Sequence, residues 1–136
     1  MIRTQGHNAN RTGRAAEHVI NATLTQRGYT PLRQYPIGQS IFDTALYADF
    51  YLSNAPGFDA GLAIESKWQQ VGGSAEEKLC YLVENIRHVY PCPAIIVIDG
   101  GGFRPGAVRW VRAQVGQGNL HAVFTIAEFL TWLNNW

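Results

Sequence analysis

Two short apolar runs carry charged side chains whose types and spacing suit phosphodiester chemistry. Residues 47–52 contain Asp49, and residues 61–68 contain Glu65 and Lys67. Both runs are rich in aromatic and aliphatic residues, and a polar loop separates them, so we predict two neighbouring β-strands. Side chains alternate along a strand, so Glu65 and Lys67 share a face, and pairing of the strands would bring Asp49 beside them.

These residue types have a defined chemical use. Two carboxylates held close together provide the oxygen ligands that a hard divalent cation such as Mg²⁺ requires. A lysine beside them can orient or deprotonate a water, or stabilise charge that develops on a phosphate. The alternative is a salt-bridge cluster on an exposed sheet face. Exposed ion pairs stabilise a fold by only about 0–1 kcal/mol, so stability gives little reason to gather the three.

The rest of the sequence predicts the elements that must position these residues. The order is α-β-β-β-α-β-(α)-β-α in one mixed α/β domain over residues 1–136, with residues 1–12 as a flexible lead-in. Helices are predicted at 13–27, 74–89, 105–115 and from 125 onward, and strands at 35–41, 47–52, 61–68, 94–98 and 120–124. Strand alternation predicts that the apolar residues of the second strand share one face: Leu46, Ala48, Phe50 and Leu52.

Composition is that of a globular domain with a real core, since 46% of the 136 residues are hydrophobic. No run approaches the roughly 18 apolar residues of a membrane span, and the polar start lacks the apolar region of a signal peptide. We therefore expect a cytoplasmic protein without a membrane segment. Cys80 and Cys92 lack CxxC spacing, so free thiols are expected, although a disulfide between them is the alternative.

Net charge of +1 does not by itself indicate a nucleic-acid partner, but its distribution is informative. Residues 43–77 are mainly acidic, whereas the segment before them and the segment at 104–112 are mainly basic. An acidic centre between basic segments suits a metal site served by phosphate-binding arms, and ordinary surface charge is the plain alternative.

Asp49, a spacer and then Glu65-Ser66-Lys67 on consecutive predicted strands resemble the PD-(D/E)XK nuclease superfamily. Its signature is an Asp followed by (D/E)-x-K on the second and third strands of an αβββαβ core, and the first predicted helix resembles the first helix of that core. One departure is Ala48, which stands where the signature has proline. The superfamily tolerates that loss. The resemblance implies a restriction-endonuclease-like fold, with a mixed central sheet flanked by helices.

The resemblance also implies roles for individual residues. Asp49 and Glu65 would be metal ligands, joined by the carbonyl of Ser66, and the cofactor would be Mg²⁺ (or Mn²⁺). Lys67 would position or activate the attacking water. Glu17 would support a metal, directly or through water.

Two of the candidate residues also have plainer interpretations. Glu17 lies at the edge of the apolar stripe of the first helix, so it is either a solvated rim residue or a carboxylate aimed at a neighbouring strand. Gln69 follows on the face of Lys67 and resembles an auxiliary catalytic residue of some relatives. It either holds the phosphate or the water, or simply ends the strand.

Candidate DNA contacts are basic or lie at a helix start. The set comprises Arg11, Arg14, Ser74, Lys78 and Arg104. Ser74 precedes a helix whose N-terminal amides can bind a phosphate. Glu76 and Glu77 in the first turn work against an anion, however, and a capping box of Ser74 with Glu77 is the simpler explanation.

We therefore expect a Mg²⁺-dependent DNA endonuclease that resembles the Holliday-junction-resolvase-like branch of the superfamily. That branch acts as homodimers, and a chain this short leaves little protein for reading base edges, which favours recognition of branched DNA over a long sequence. Duplex DNA and RNA stay open as substrates. The alternative from another class is a catalytically inactive nuclease fold that binds DNA or a protein.

Overall fold

The computed structural model describes residues 4–68 and 75–136, with side chains described for 13–68 and 76–136. The predicted element order is confirmed. The helices are α1 (Thr4–Gln26), α2 (Ala75–His88), α3 (Pro105–Ala113) and α4 (Ile126–Asn134). The strands are β1 (Leu32–Gln39), β2 (Ala45–Leu52), β3 (Leu62–Trp68), β4 (Ala94–Asp99) and β5 (Leu120–Thr125).

One mixed sheet joins the five strands in the order β1-β2-β3-β4-β5. The pairs β1/β2 and β2/β3 are antiparallel, and the pairs β3/β4 and β4/β5 are parallel. Parallel neighbours need a crossover, and α2 and α3 supply the two crossovers. The predicted α/β class with a mixed central sheet is therefore confirmed.

Helices cover both faces of the sheet. Residues of α2 and α3 pack on one face in a first core cluster, and residues of α1 and α4 pack on the other face in a second cluster. β4 contributes alternately to the two, with Ala94, Ile96 and Ile98 in the first and Ile95 and Val97 in the second. This strand is buried on both faces, as its continuous apolar run predicts.

The apolar stripes of α1 and α2 confirm the helical periodicity, but the start of α1 was predicted wrongly. α1 begins at Thr4 rather than near residue 13. Gly6 and Gly13 each cost a helix about 1 kcal/mol relative to alanine, yet neither removes a backbone hydrogen bond, and the first proline is Pro31. The sequence therefore contains no residue that must stop the helix before Gly13.

β2 departs from the predicted alternation. Ala48 packs in the first cluster, whereas Phe50 and Leu52 pack in the second. The change falls at Asp49, opposite Gln34 of β1, whose backbone has a φ of 47° in the left-handed region. The expectation that all the apolar residues of β2 share one face is therefore wrong, because the face from which they pack changes at Asp49.

Smaller predictions have mixed outcomes. Thr125 and Glu128 form the predicted capping box at the start of α4. Cys80 and Cys92 are free thiols, the first exposed and the second buried. Ser74, the predicted cap of α2, lies outside the described residues. Across the described parts of the chain, we find no helix with the length and apolar character needed to cross a membrane.

Candidate active site

The carboxylates of Asp49 and Glu65 lie where the backbone pairing of β2 with β3 ends and hydrogen bonds to side chains begin. Backbone pairing joins residues 50–52 to residues 62–64. Immediately beyond, the amide of Asp49 donates to Oε1 of Glu65 at 3.3 Å, and the amide of Ser66 donates to Oδ2 of Asp49 at 2.8 Å. Carboxylate oxygens thus accept bonds from the backbone amides of the neighbouring strand. This exchange fixes both acidic groups side by side.

Glu65 is held in an apolar surrounding, with only 2% of the residue exposed. The hydroxyl of Tyr90 donates to its Oε2 at 2.8 Å. Burial, and then the charge of Asp49, raise the pKa of Glu65 to about 8. The hydrogen bonds from Tyr90 and from the Asp49 amide, and the charge of Lys67, act in the opposite direction. Without a cation, burial therefore favours the protonated form of Glu65 near neutral pH.

Tyr90 remains a phenol in this environment. Burial is the main cause that raises its pKa, and the nearby charge of Glu65 acts in the same direction. The hydroxyl of Tyr90 therefore keeps its proton and donates a hydrogen bond to Glu65 throughout the pH range in which the protein is folded.

β1 supports the acidic residues from the other side. Nε2 of Gln34 donates to Oδ1 of Asp49 at 3.3 Å. Its neighbour Arg33 forms an ion pair with Glu17 at 2.7 Å, and the guanidinium lies 4.5 Å from the centre of the Phe50 ring. Two consecutive residues of one edge strand therefore contact two of the predicted metal-site carboxylates.

A cleft of about 590 Å³ opens beside the carboxylate pair, where β3 ends between α1 and α2. Among the side chains that the structure describes, its charged lining includes the cations Arg14, Lys67 and Lys78 and the carboxylate of Glu17. Ser66 completes the link between the cleft and the hydrogen-bonded pair, because it lines the cleft and bonds to Asp49. A phosphodiester backbone that enters this cleft would contact positively charged side chains next to the two carboxylates.

The structure brings together most of the residues that the sequence singled out, but not all of them. Arg104 lies elsewhere, in a groove between α2 and α3, where its amide donates to Oε2 of Glu76 at 2.8 Å. Gln69 and Ser74 lie outside the described residues, as does the side chain of Arg11. The assigned roles of all these residues stay predictions.

Three residues that the sequence did not single out contact the site: Arg33, Gln34 and Tyr90. The predicted first strand began at Tyr35, so Arg33 and Gln34 fell outside it. Tyr90 stands between a helix end and Pro91, where an aromatic residue is ordinary. One signal in the sequence points to Tyr90. It lies close in sequence to β4, a strand buried on both faces, and a buried phenol needs a hydrogen-bond partner.

The donor set fits a divalent cation. Among the residues that the structure describes, no group of three or more His, Cys, Asp or Glu side chains could hold a metal ion. Asp49 and Glu65 are a pair of neighbouring carboxylates. Two adjacent carboxylates, one of them buried, are costly to ionise together unless a positive charge compensates them. Their oxygens are the ligands that Mg²⁺ and Mn²⁺ favour.

Comparison with known proteins assigns the chain to a family. The family model that describes the PD-(D/E)XK nuclease superfamily domain matches residues 8–136, nearly the whole chain. The chain belongs to the PD-(D/E)XK nuclease superfamily, whose members generally use divalent metal ions. No curated protein and no solved structure matched it.

Proposed function

We propose that this protein is a divalent-metal-dependent deoxyribonuclease that hydrolyses phosphodiester bonds at the site formed by Asp49, Glu65 and Lys67. The observation that carries the proposal is the pair of carboxylates, each accepting from a backbone amide of the neighbouring strand, beside a cleft lined by Lys67. A nuclease needs both parts, because phosphoryl transfer depends on positioning and on stabilising the charge of the pentavalent transition state.

Each residue of the site has a proposed role. Asp49 and Glu65 would hold the cation, with the carbonyl of Ser66 beside them. A bound divalent cation would lower the pKa of a water molecule and stabilise charge on the phosphate oxygens. Lys67 would orient the attacking water and help to balance the charge that develops on the phosphate. The water oxygen bonds to phosphorus and loses a proton to solvent, while the P–O bond to the leaving oxygen breaks and that oxygen takes up a proton from solvent. Glu17 stands on the cleft wall, where Arg33 fixes its carboxylate.

DNA is the proposed substrate. Arg14 of α1 and Lys78 of α2 line the cleft at the end of β3. We propose that they bind the phosphates on either side of the scissile bond. Arg11, Ser74 and Arg104 are proposed contacts beyond the cleft, and Gln69 is a proposed partner of the phosphate or the water. Contacts of this kind position the backbone without reading bases, which supports selectivity for DNA structure, such as branched DNA, over sequence.

The working form of the enzyme is part of the proposal. We propose Mg²⁺ as the cation, a homodimer as the acting assembly, endonucleolytic cleavage as the outcome and the cytoplasm as the compartment. The two free cysteines support the last point, because reduced thiols fit a reducing compartment.

Cleavage of a labelled panel of duplex, single-stranded, flap and four-way-junction DNA tests the proposal. Each substrate is incubated with Mg²⁺, Mn²⁺ or EDTA. Metal-dependent cutting should fall at least 100-fold in Glu65→Gln and in Lys67→Met, because each variant removes a group used in the reaction. Glu84→Gln is the matched control, since Glu84 lies on α2 and pairs with Arg87 and His88.

The panel also separates the proposed enzyme from a binding module. Wild-type protein that binds DNA but cuts none of the substrates with either metal would contradict the proposal and favour the inactive nuclease fold. Cutting that survives in Glu65→Gln would show that the reaction takes place elsewhere.

A further inference from the structure

We propose that Tyr90 is a positioning residue for the metal site, because its phenol holds the carboxylate of Glu65 in the orientation in which a cation binds. The inference rests on the proposed function, since it concerns the same site. The residue lies outside the D…ExK pattern and belongs to the segment between α2 and β4.

The contact between the two side chains is short and buried. Oη of Tyr90 lies 2.8 Å from Oε2 of Glu65, and the two residues are 5% and 2% exposed. The other carboxylate oxygen accepts from the amide of Asp49. Each oxygen of Glu65 therefore has a donor, and the two hydrogen bonds restrict rotation of the carboxylate plane. A carboxylate oxygen has more than one acceptor site, so each can also ligate a cation.

Tyr90 is itself fixed through its backbone. Its amide donates to the carbonyl of Asn85 at 3.0 Å, which ties it to the last turn of α2. Its carbonyl accepts from Nδ2 of Asn119 at 2.7 Å. Asn119 precedes β5, and its own carbonyl accepts from the amide of Ala94 at the start of β4. The backbone that carries the phenol is thus joined by hydrogen bonds to α2, β4 and β5.

The support matters because ligands of a metal site depend on the groups that hydrogen-bond to them. Loss of such a group in metalloproteins lowers metal affinity or activity by about 10-fold to 100-fold. A simpler role for Tyr90 is structural: a buried phenol needs an acceptor, and Glu65 supplies one. The two roles differ in their effect on metal affinity.

The experiment measures Mn²⁺ binding to the protein without DNA, by electron paramagnetic resonance of the free ion and by calorimetry. Tyr90→Phe should weaken Mn²⁺ binding by about 10-fold, the lower end of the range for such groups. At saturating Mn²⁺ the cleavage rate should return to within about twofold of wild type, because Phe leaves Asp49, Glu65 and Lys67 in place.

Tyr51→Phe is the matched control. Its hydroxyl donates to the carbonyl of Ala60 at 2.9 Å, so the variant removes a phenol hydroxyl that does not contact the carboxylates. Mn²⁺ affinity should be unchanged. If Tyr90→Phe fails to fold, Asn119→Ala gives a second test. It removes the bond to the Tyr90 carbonyl and keeps the phenol, and it should weaken Mn²⁺ binding by a smaller factor.

Failure of this inference and failure of the proposed function are distinguishable. Equal Mn²⁺ affinity in wild type and Tyr90→Phe overturns the positioning role and leaves the nuclease standing. Affinity that falls in Tyr90→Phe, in a protein that cuts no DNA, supports the positioning role and removes the nuclease. Wild-type protein that binds no Mn²⁺ overturns both.

Discussion

Glu65 is the residue at which the folded state and the proposed reaction have opposite requirements. Burial favours its neutral form, whereas a metal ligand must be ionised. The amide of Asp49, the hydroxyl of Tyr90 and the charge of Lys67 all favour ionisation, yet burial and the charge of Asp49 outweigh them. In the proposed nuclease, a bound cation would reverse this balance and Glu65 would ionise.

This conflict predicts how stability depends on pH. The pKa of Glu65 rises from 4.5 to about 8 in the fold, so between these values the folded protein holds a proton that the unfolded chain has released. The free energy of unfolding of the metal-free protein should therefore fall as pH rises from about 4.5 to about 8, and this decline should stop above pH 8. The loss is on the order of a few kcal/mol, since one pKa unit corresponds to about 1.4 kcal/mol.

Urea unfolding at a series of pH values, in EDTA, measures this dependence. Glu65→Gln keeps the neutral shape, so its decline over the same interval should be smaller by that amount. Glu84→Gln, on the exposed side of α2, should decline like wild type. Parallel curves for wild type and Glu65→Gln would show that Glu65 ionises normally in the fold.

At the scale of elements, β1 does more than close the edge of the sheet. Through Arg33 and Gln34 it contacts Glu17 and Asp49, and Gln34 does so with a φ of 47°. A left-handed backbone costs a residue other than glycine about 1–2 kcal/mol. Strain of this kind persists where the surrounding structure holds it, often at functional sites.

Gln34→Gly should therefore separate stability from function. Glycine adopts a positive φ freely, so relief of strain should offset its usual cost of about 0.5–1 kcal/mol in a strand, and the free energy of unfolding should change little. Mn²⁺ affinity should fall about twofold to threefold, because the 3.3 Å contact with Asp49 is lost. Gln39→Gly, in the same strand but without a positive φ, should lose about 0.5–1 kcal/mol. Equal losses of stability in the two variants would contradict the argument.

The elements also show what a sequence reveals and what it conceals. The buried β4 follows from local pattern, since run length and apolar character are properties of neighbouring residues. The pairing of Asp49 with Glu65, 16 positions apart, follows from placing two consecutive strands side by side. The contacts of Tyr90 and Gln34 do not follow from the pattern, because Tyr90 lies outside every predicted element and Gln34 lies before the predicted start of the first strand. The change of face at Asp49 is also concealed, since it falls opposite the residue of β1 whose backbone is left-handed.

At the scale of the whole molecule, charge is placed locally rather than spread over the surface. The net charge of +1 gives little long-range attraction for DNA. Arg14, Lys67 and Lys78 nevertheless line one cleft, which lies between the two helix layers at the end of β3. DNA binding should therefore depend on a few cations, each of which displaces counterions from the phosphates.

The salt dependence of DNA binding measures how many cations of the protein contact phosphates. In EDTA, which prevents cleavage, Arg14→Ala and Lys78→Ala should each lower the slope of log K against log salt by about 0.9 for duplex DNA, because each removes one phosphate contact. Arg112→Ala is the matched control: Arg112 is a cation of α3 that pairs with Glu128 at 2.9 Å, and its loss should leave the slope unchanged. If Arg112→Ala lowers the slope as much as Lys78→Ala does, DNA contacts the molecule through diffuse surface charge, and the cleft is not its principal binding surface.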